Sequence, residues 1–222
     1  MHSDPAVTLP LIRRRMQDAC VASSRSEASV RLLAVSKFHG AEAVRAAYAC
    51  GQRDFGESYA QELAEKAAAL ADLPDLRWHF IGPVQRNKAK LIARYACMVH
   101  AIESERAAVA LDRAAADHAR ELCATLQVNV AGEAQKHGVR PAELPALLAA
   151  TRALTHLRVV GLMTLPPDSR EAADHAFVQL AELARTHDLC ELSMGMSGDL
   201  DLAIAHGATW IRVGSAIFGD RG

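Results

Sequence analysis

The chain carries almost no net charge, a formal −1 at pH 7, so its bulk electrostatics exclude an ordinary basic polyanion-binding protein. Its one dense basic run, Arg13-Arg14-Arg15, lacks the interleaved aromatic residues of an RNA-binding surface and reads as the solvated face of a first helix. No nucleic-acid partner is expected. Paired cysteines are missing too: Cys20, Cys50, Cys97, Cys123 and Cys190 are scattered without a CxxC spacing. That excludes a disulfide framework and a zinc site and reads as buried thiols in a reducing compartment. No run of about 18 apolar residues is present to cross a bilayer, and residues 1–10 lack the basic and apolar regions of a secretory leader. The expected location is the cytoplasm, with no membrane partner. Neither GxGxxG nor GxxxxGKS/T occurs, which removes the motifs for a dinucleotide or P-loop nucleotide site.

What the chain does have is alternation. Short apolar runs at residues 31–36, 53–55, 78–82, 97–102, 122–129, 157–163, 189–194 and 209–213 are separated by helix-periodic segments such as 41–50, 58–70, 104–120, 141–153, 170–186 and 200–206. Runs that are apolar on both faces, each followed by a helix, are the signature of parallel βα units. Eight of them predict one (β/α)8 barrel domain spanning residues 1–222, with an open doubly wound sheet as the other arrangement. An extra helix at about residues 9–20 is expected to cap one end.

Lysine is the scarce cation here, contributing five of the 25 basic side chains. One of them, Lys37, closes the first apolar run. Arginine cannot lose its proton at any ordinary pH, whereas a lysine amine, once neutral, attacks carbonyls. Lys37 is therefore a candidate Schiff-base residue, and the other reading is a strand-end lysine that reaches out to water. In a barrel the active face lies at the C-terminal ends of the strands. There the chain places Gly56-Glu57-Ser58-Tyr59, then His79, then Gly82 onward, and finally two glycine- and serine-rich turns, Ser193 to Asp199 and Arg212 to Ser215. Glycine lets the backbone approach an anion, hydroxyls donate, and a helix start adds free N–H groups. Two such turns on adjacent strands point to a phosphate, although each alone could be an N-cap and a turn. Arg212 lies inside an apolar strand and needs a partner, either a carboxylate from Asp199, Asp201 or Glu57, or a ligand acceptor such as a ring nitrogen. His79, between Trp78 and Phe80, reads as a hydrogen-bonded core residue.

Six ordered motifs carry a resemblance. Residues 33–37 (Leu-Ala-Val-Ser-Lys), 55–59 (Phe-Gly-Glu-Ser-Tyr), 78–85 (Trp-His-Phe-Ile-Gly-Pro-Val-Gln), 161–163 (Gly-Leu-Met), 192–197 (Leu-Ser-Met-Gly-Met-Ser) and 211–219 (Ile-Arg-Val-Gly-Ser-Ala-Ile-Phe-Gly) resemble the pyridoxal phosphate homeostasis proteins of the YggS/PROSC type. The resemblance implies a barrel of the alanine-racemase type. It makes pyridoxal 5′-phosphate the cofactor and Lys37 its Schiff-base residue. It also implies Arg212 at the pyridine nitrogen, Ser197, Gly214 and Ser215 at the phosphate, and His79 and Met194 lining the pocket; Ser58 is a candidate contact whose departure from the family pattern weakens the case for it. Two departures stand out: Ser58 replaces the usual asparagine, and Phe38 follows Lys37 where threonine is common.

An arginine at the ring nitrogen leaves that nitrogen unprotonated and the cofactor a poor electron sink. Racemases of this kind compensate with a second base, supplied by an extra β domain and a partner subunit; only seven residues follow Ser215. The expectation is a monomeric, non-catalytic cofactor carrier that serves client apoenzymes. A small racemase or decarboxylase would need Tyr59, Tyr48 or His79 as second base, and a Schiff-base aldolase would use Lys37 on a sugar phosphate. The segment from Gln85 to Lys90 is either a docking surface for clients or a charged helix start.

Overall fold

The computed structural model describes residues 3–219. Its backbone opens with α1 (Pro5–Ala22), begun by Asp4, whose carboxylate accepts from the Ala6 N–H at 2.9 Å, and by Pro5, whose fixed φ suits a first helical position. β1 (Arg31–Val35) follows, then α2 (Ala41–Ala49), β2 (Asp54–Glu57), α3 (Ala60–Ala69), β3 (Arg77–Phe80), α4 (Ala89–Tyr95), β4 (Ala96–Ile102), α5 (Glu105–Asp117) and β5 (Leu122–Gln127). The chain continues through α6 (Leu144–Thr151), β6 (Leu157–Met163), α7 (Arg170–Thr186), β7 (Glu191–Ser193), α8 (Leu200–Ala205), β8 (Trp210–Val213) and α9 (Ser215–Phe218). The strands pair in parallel from β1 to β8, and β8 returns to β1 through Leu33↔Arg212 and Ala34↔Val213. The observed architecture is the expected (β/α)8 barrel.

Two apolar layers hold it. The larger lies between the barrel wall and the helices, where each helix offers one stripe; α5 buries Ala107, Ala108, Leu111, Ala114 and Ala115, one face at helical spacing. The smaller fills the lumen with Leu33, Met98 and Trp210, flanked by Ile81, Cys97, Cys123 and Val160. Polar residues occupy the rest of the lumen, among them His79, His100, Thr125, Ser193 and Arg212, all buried.

α1 does not cap an end. Leu9, Ile12, Met16, Ala19 and Cys20 form its buried stripe, and it packs against α8, α9 and α2 along the outer wall. It therefore takes the place of a wall helix over the β8–β1 pair, whose outer face would otherwise meet water. It also starts four residues earlier than its apolar pattern, because Asp4 and Pro5 nucleate it. The cysteines need a second correction: only Cys20 is buried, Cys50, Cys97 and Cys123 are half-buried, and Cys190 is exposed; all five are free thiols. The segment at Gln85 to Lys90 forms a 3-10 turn (Arg86–Lys88) that leads into α4.

Candidate functional site

Lys37 leaves β1 at the C-terminal mouth, half-buried, in a turn whose backbone is tied on both sides. Ser36 donates from Oγ to Glu57 Oε1 (2.6 Å) and from its N–H to Gly56 O (3.0 Å), while Phe38 N–H donates to Glu62 Oε1 (2.6 Å). Lys66 joins these groups, its Nζ donating to Ser36 O, Glu57 Oε1 and Glu62 Oε1, each at 2.7 Å. Phe38 takes φ +68°, a left-handed conformation rare for a bulky side chain, and its ring packs on Tyr59 at 5.3 Å between centroids. This turn is held in place, not loose. Burial pushes the Glu57 carboxyl up, against the pull of the Lys66 ammonium and the hydrogen bonds from Lys66 and Ser36.

A cavity of about 380 Å³ opens beside Lys37. Lys37, Ser58, Ser197, Arg212, Gly214 and Ser215 all line it, joined by Gly198 and by the apolar Val35, Ile81 and Met163. Arg212 is 4% exposed and donates from NH1 to Ser193 Oγ (2.8 Å) and from NH2 to Thr164 O (2.9 Å). Burial lowers its pKa to about 10, with Asp199 opposing, so it stays charged at neutral pH. None of the anticipated carboxylates pairs with it: Asp199 accepts from Met196 N–H (2.6 Å), Asp201 pairs with Arg170, and Glu57 belongs to Lys66. At Gly214 a Cβ would come within 3.2 Å of Val35 O, so the turn before Ser215 is close-packed on β1. The Ser197 turn is braced from outside by Arg15, whose NH2 donates to Ser197 O at 3.0 Å.

Two anticipated residues lie elsewhere. Ser193 points into the lumen, so the alternation of a strand turns Met194 outward, where it is fully buried in the core behind the wall. His79 does point inward, but two residues below Ile81, roughly 6–7 Å deeper at the rise of a strand. There it belongs to a buried chain. Asp54 Oδ1 accepts from His79 Nε2 (2.9 Å), His79 Nδ1 meets His100 Nε2 (3.0 Å), and His100 Nδ1 meets Ser193 Oγ (2.8 Å), which also accepts from Arg212. Arg77 closes the far end with two 2.7 Å bonds to Asp54. Burial alone would lower His79, but the Asp54 hydrogen bond, with Cys97, raises it to about 9. Burial, then the charges of His79 and Arg212, drive His100 well below its ordinary value. Hydrogen bonds from Arg77 and His79 outweigh burial at Asp54 and bring it to about 2. With His79 charged and His100 neutral, the donors run from His79 Nδ1–H to His100, and from His100 Nδ1–H to Ser193. Sequence alone does not single out Lys66, Asp54 or His100; the one signal for Lys66 is its i,i+4 spacing from Glu62 on α3.

The mouth thus combines an amine, a buried guanidinium, the three hydroxyls of Ser58, Ser197 and Ser215 and two glycine-bearing turns against an apolar wall. That donor set fits a phosphorylated aromatic aldehyde. Among the described residues no helix is long and apolar enough to cross a membrane, and no group of three His, Cys, Asp or Glu side chains could hold a metal ion.

Comparison with known proteins agrees in kind. The family model for the alanine racemase N-terminal domain matches residues 14–222. A pyridoxal phosphate homeostasis protein of Pseudomonas aeruginosa is 48% identical over 97% of this chain and 95% of its own length. The structure of PipY from Synechococcus elongatus with PLP bound superposes with a TM-score of 0.81 at 41% identity, covering 92% of this chain and all of the other. An alanine racemase from Clostridium difficile shares the fold at 12% identity, with a TM-score of 0.71 over 92% of this chain and 56% of its own.

Proposed function

We propose that this chain, which belongs to the pyridoxal phosphate homeostasis protein family, binds pyridoxal 5′-phosphate reversibly at the Lys37 mouth and buffers or delivers it to client apoenzymes in the cytoplasm. The observation that carries the reading is the meeting of Lys37, Arg212 and the Ser197–Gly198 and Gly214–Ser215 turns on one cavity. When bound, this cofactor supplies an aldehyde that one amine can capture and another amine can release. Lys37 is the residue that would hold it, as a Schiff base. The Ser197 and Ser215 hydroxyls, with the N–H groups of their glycine neighbours, would take the phosphate. Arg212, fixed by Ser193 and Thr164, would donate to the ring nitrogen and leave it without a proton, because a guanidinium has none of the acceptor capacity a carboxylate would bring. Ser58, which lines the same cavity, would be a further contact.

Placement of the second-base candidates supports a carrier over a racemase. Tyr48 hydrogen-bonds Asp75, Tyr59 packs on Phe38 without lining the cavity, and His79 lies a layer below the mouth. The Pseudomonas aeruginosa relative named above is likewise named for homeostasis. The test is an absorbance spectrum of the protein with pyridoxal 5′-phosphate, before and after borohydride, with the modified residue located by mass spectrometry. Lys37→Ala should abolish the visible band, and Arg212→Gln should weaken binding about tenfold or more, the scale of a lost charge-assisted hydrogen bond. A band that survives Lys37→Ala refutes the covalent anchor; solvent deuterium entering the Cα of amino acids at enzyme-like rates refutes the carrier.

A further inference from the structure

At the opposite end of the barrel lies a second cavity, of about 390 Å³, reached from the N-terminal ends of the strands. Met98, Val160 and Trp210 form its inner surface, and Arg31, Arg77 and Arg158 stand on its rim. Its hydrogen-bonding groups are unbalanced. Asp54 is committed to Arg77 and His79, and Glu191 Oε2 accepts from Arg31 and from Thr209 Oγ1 (2.6 Å). Donors are left over. Among the described residues Arg158 forms no salt bridge; its guanidinium donates to the Cys123 sulfur, at 3.6 Å, and Glu121 acts on it only through space. The Trp210 Nε1–H is buried and has no acceptor. Among the residues lining the cavity, three guanidinium groups and the charged His79 face two carboxylates, a net charge of +2, with Glu121 acting on Arg158 from outside the lining.

We infer that this end of the barrel binds a small organic anion, its acidic group held by Arg158, its neighbouring guanidinium groups and the Trp210 N–H, and its carbon skeleton lying on Met98 and Val160. The site is separate from the Lys37 mouth and stands or falls independently of the function proposed there. Nature has placed a reporter in it: Cys97 and Cys123, on β4 and β5, both line the cavity, and the Cys97 sulfur is 3.7 Å from His79 Nε2.

Iodoacetate is a small anion that alkylates thiols, and iodoacetamide is its neutral counterpart. In both, the cysteine sulfur bonds to the methylene carbon, iodide leaves, and the thiol proton goes to solvent. Rates at each cysteine of the full chain are read by peptide mass spectrometry, with exposed Cys190, which lies outside the cavity, as the baseline. The ratio of iodoacetate to iodoacetamide rates at Cys97 or Cys123 should exceed that at Cys190 about tenfold, an affinity step of about 1.4 kcal/mol. Arg158→Gln, a change at an exposed side chain, should return the ratio to the Cys190 value. Succinate and glycerol phosphate are the competitors: protection by the first marks a carboxylate site, by the second a phosphate site, and by neither overturns the inference. A ratio at both cavity thiols no higher than at Cys190 overturns it as well.

Discussion

His79 offers the sharpest test of the buried chain. Its pKa stands at about 9 against an ordinary 6.5, so between those values the folded protein holds a proton that the unfolded chain has released. Stability from this group is therefore fully present below about pH 6.5, declines as pH rises, and is gone above about 9. A shift of that size corresponds to roughly 3 kcal/mol. Asp54, held at about 2, stays ionised throughout the range and does not blur the signal. Urea unfolding of the wild type and of His79→Gln, measured from pH 6 to pH 9.5, should show a stability gap that narrows by about 3 kcal/mol across the window. Contributions from Glu57 and other groups remote from His79 cancel in the difference, while His100, which the His79 charge holds down, is followed by its own imidazole resonance. Two parallel curves would refute the reasoning, as would an imidazole resonance of His79 that titrates near 6.5 in the intact protein.

Lys66→Met should destabilise the fold by about 3–5 kcal/mol at pH 8, since it leaves Glu57 buried and unpaired. The loss should shrink on acidification, when Glu57 can take up a proton, and the double variant with Glu57→Gln should recover part of it; calorimetry at two pH values checks both. Gly161→Ala should cost about 3 kcal/mol or more in denaturant, because a Cβ on β6 would overlap the Glu191 carbonyl of β7. An unchanged midpoint would mean that β6 and β7 can part without loss.

The strands could be read from the sequence because a parallel barrel buries both faces of each one, so every strand appears as a short apolar run. The reading failed where polarity enters the wall. The apolar run stops at Phe55, yet Gly56 and Glu57 continue β2, pairing with His79 and Phe80, since Lys66 and Ser36 satisfy the carboxylate. The mouth was partly legible for a related reason: lysine, glycine and serine at strand ends stand out against apolar runs. The interior chain was not. Asp54, His79, His100 and Ser193 come from four strands, and each alone is an ordinary core polar residue; only barrel closure puts them in line. Motif spacing says nothing about which side of the wall Met194 takes just past the end of β7, and it lies in the outer core.

The pairing of β1 with β8 has a consequence for the protein's synthesis. Lys37 emerges from the ribosome early, but Arg212 and Ser215, which line the same cavity, arrive only with the eighth strand and the turn after it, and Arg212 sits directly beside Leu33 across the final join. Any ligand that touches both sides of that join can be held only by a finished ring. It then acts as a clasp, adding about 2.7 kcal/mol of stability at a concentration one hundred times its Kd. Occupancy of the mouth would thus report, molecule by molecule, that a newly made chain has shut.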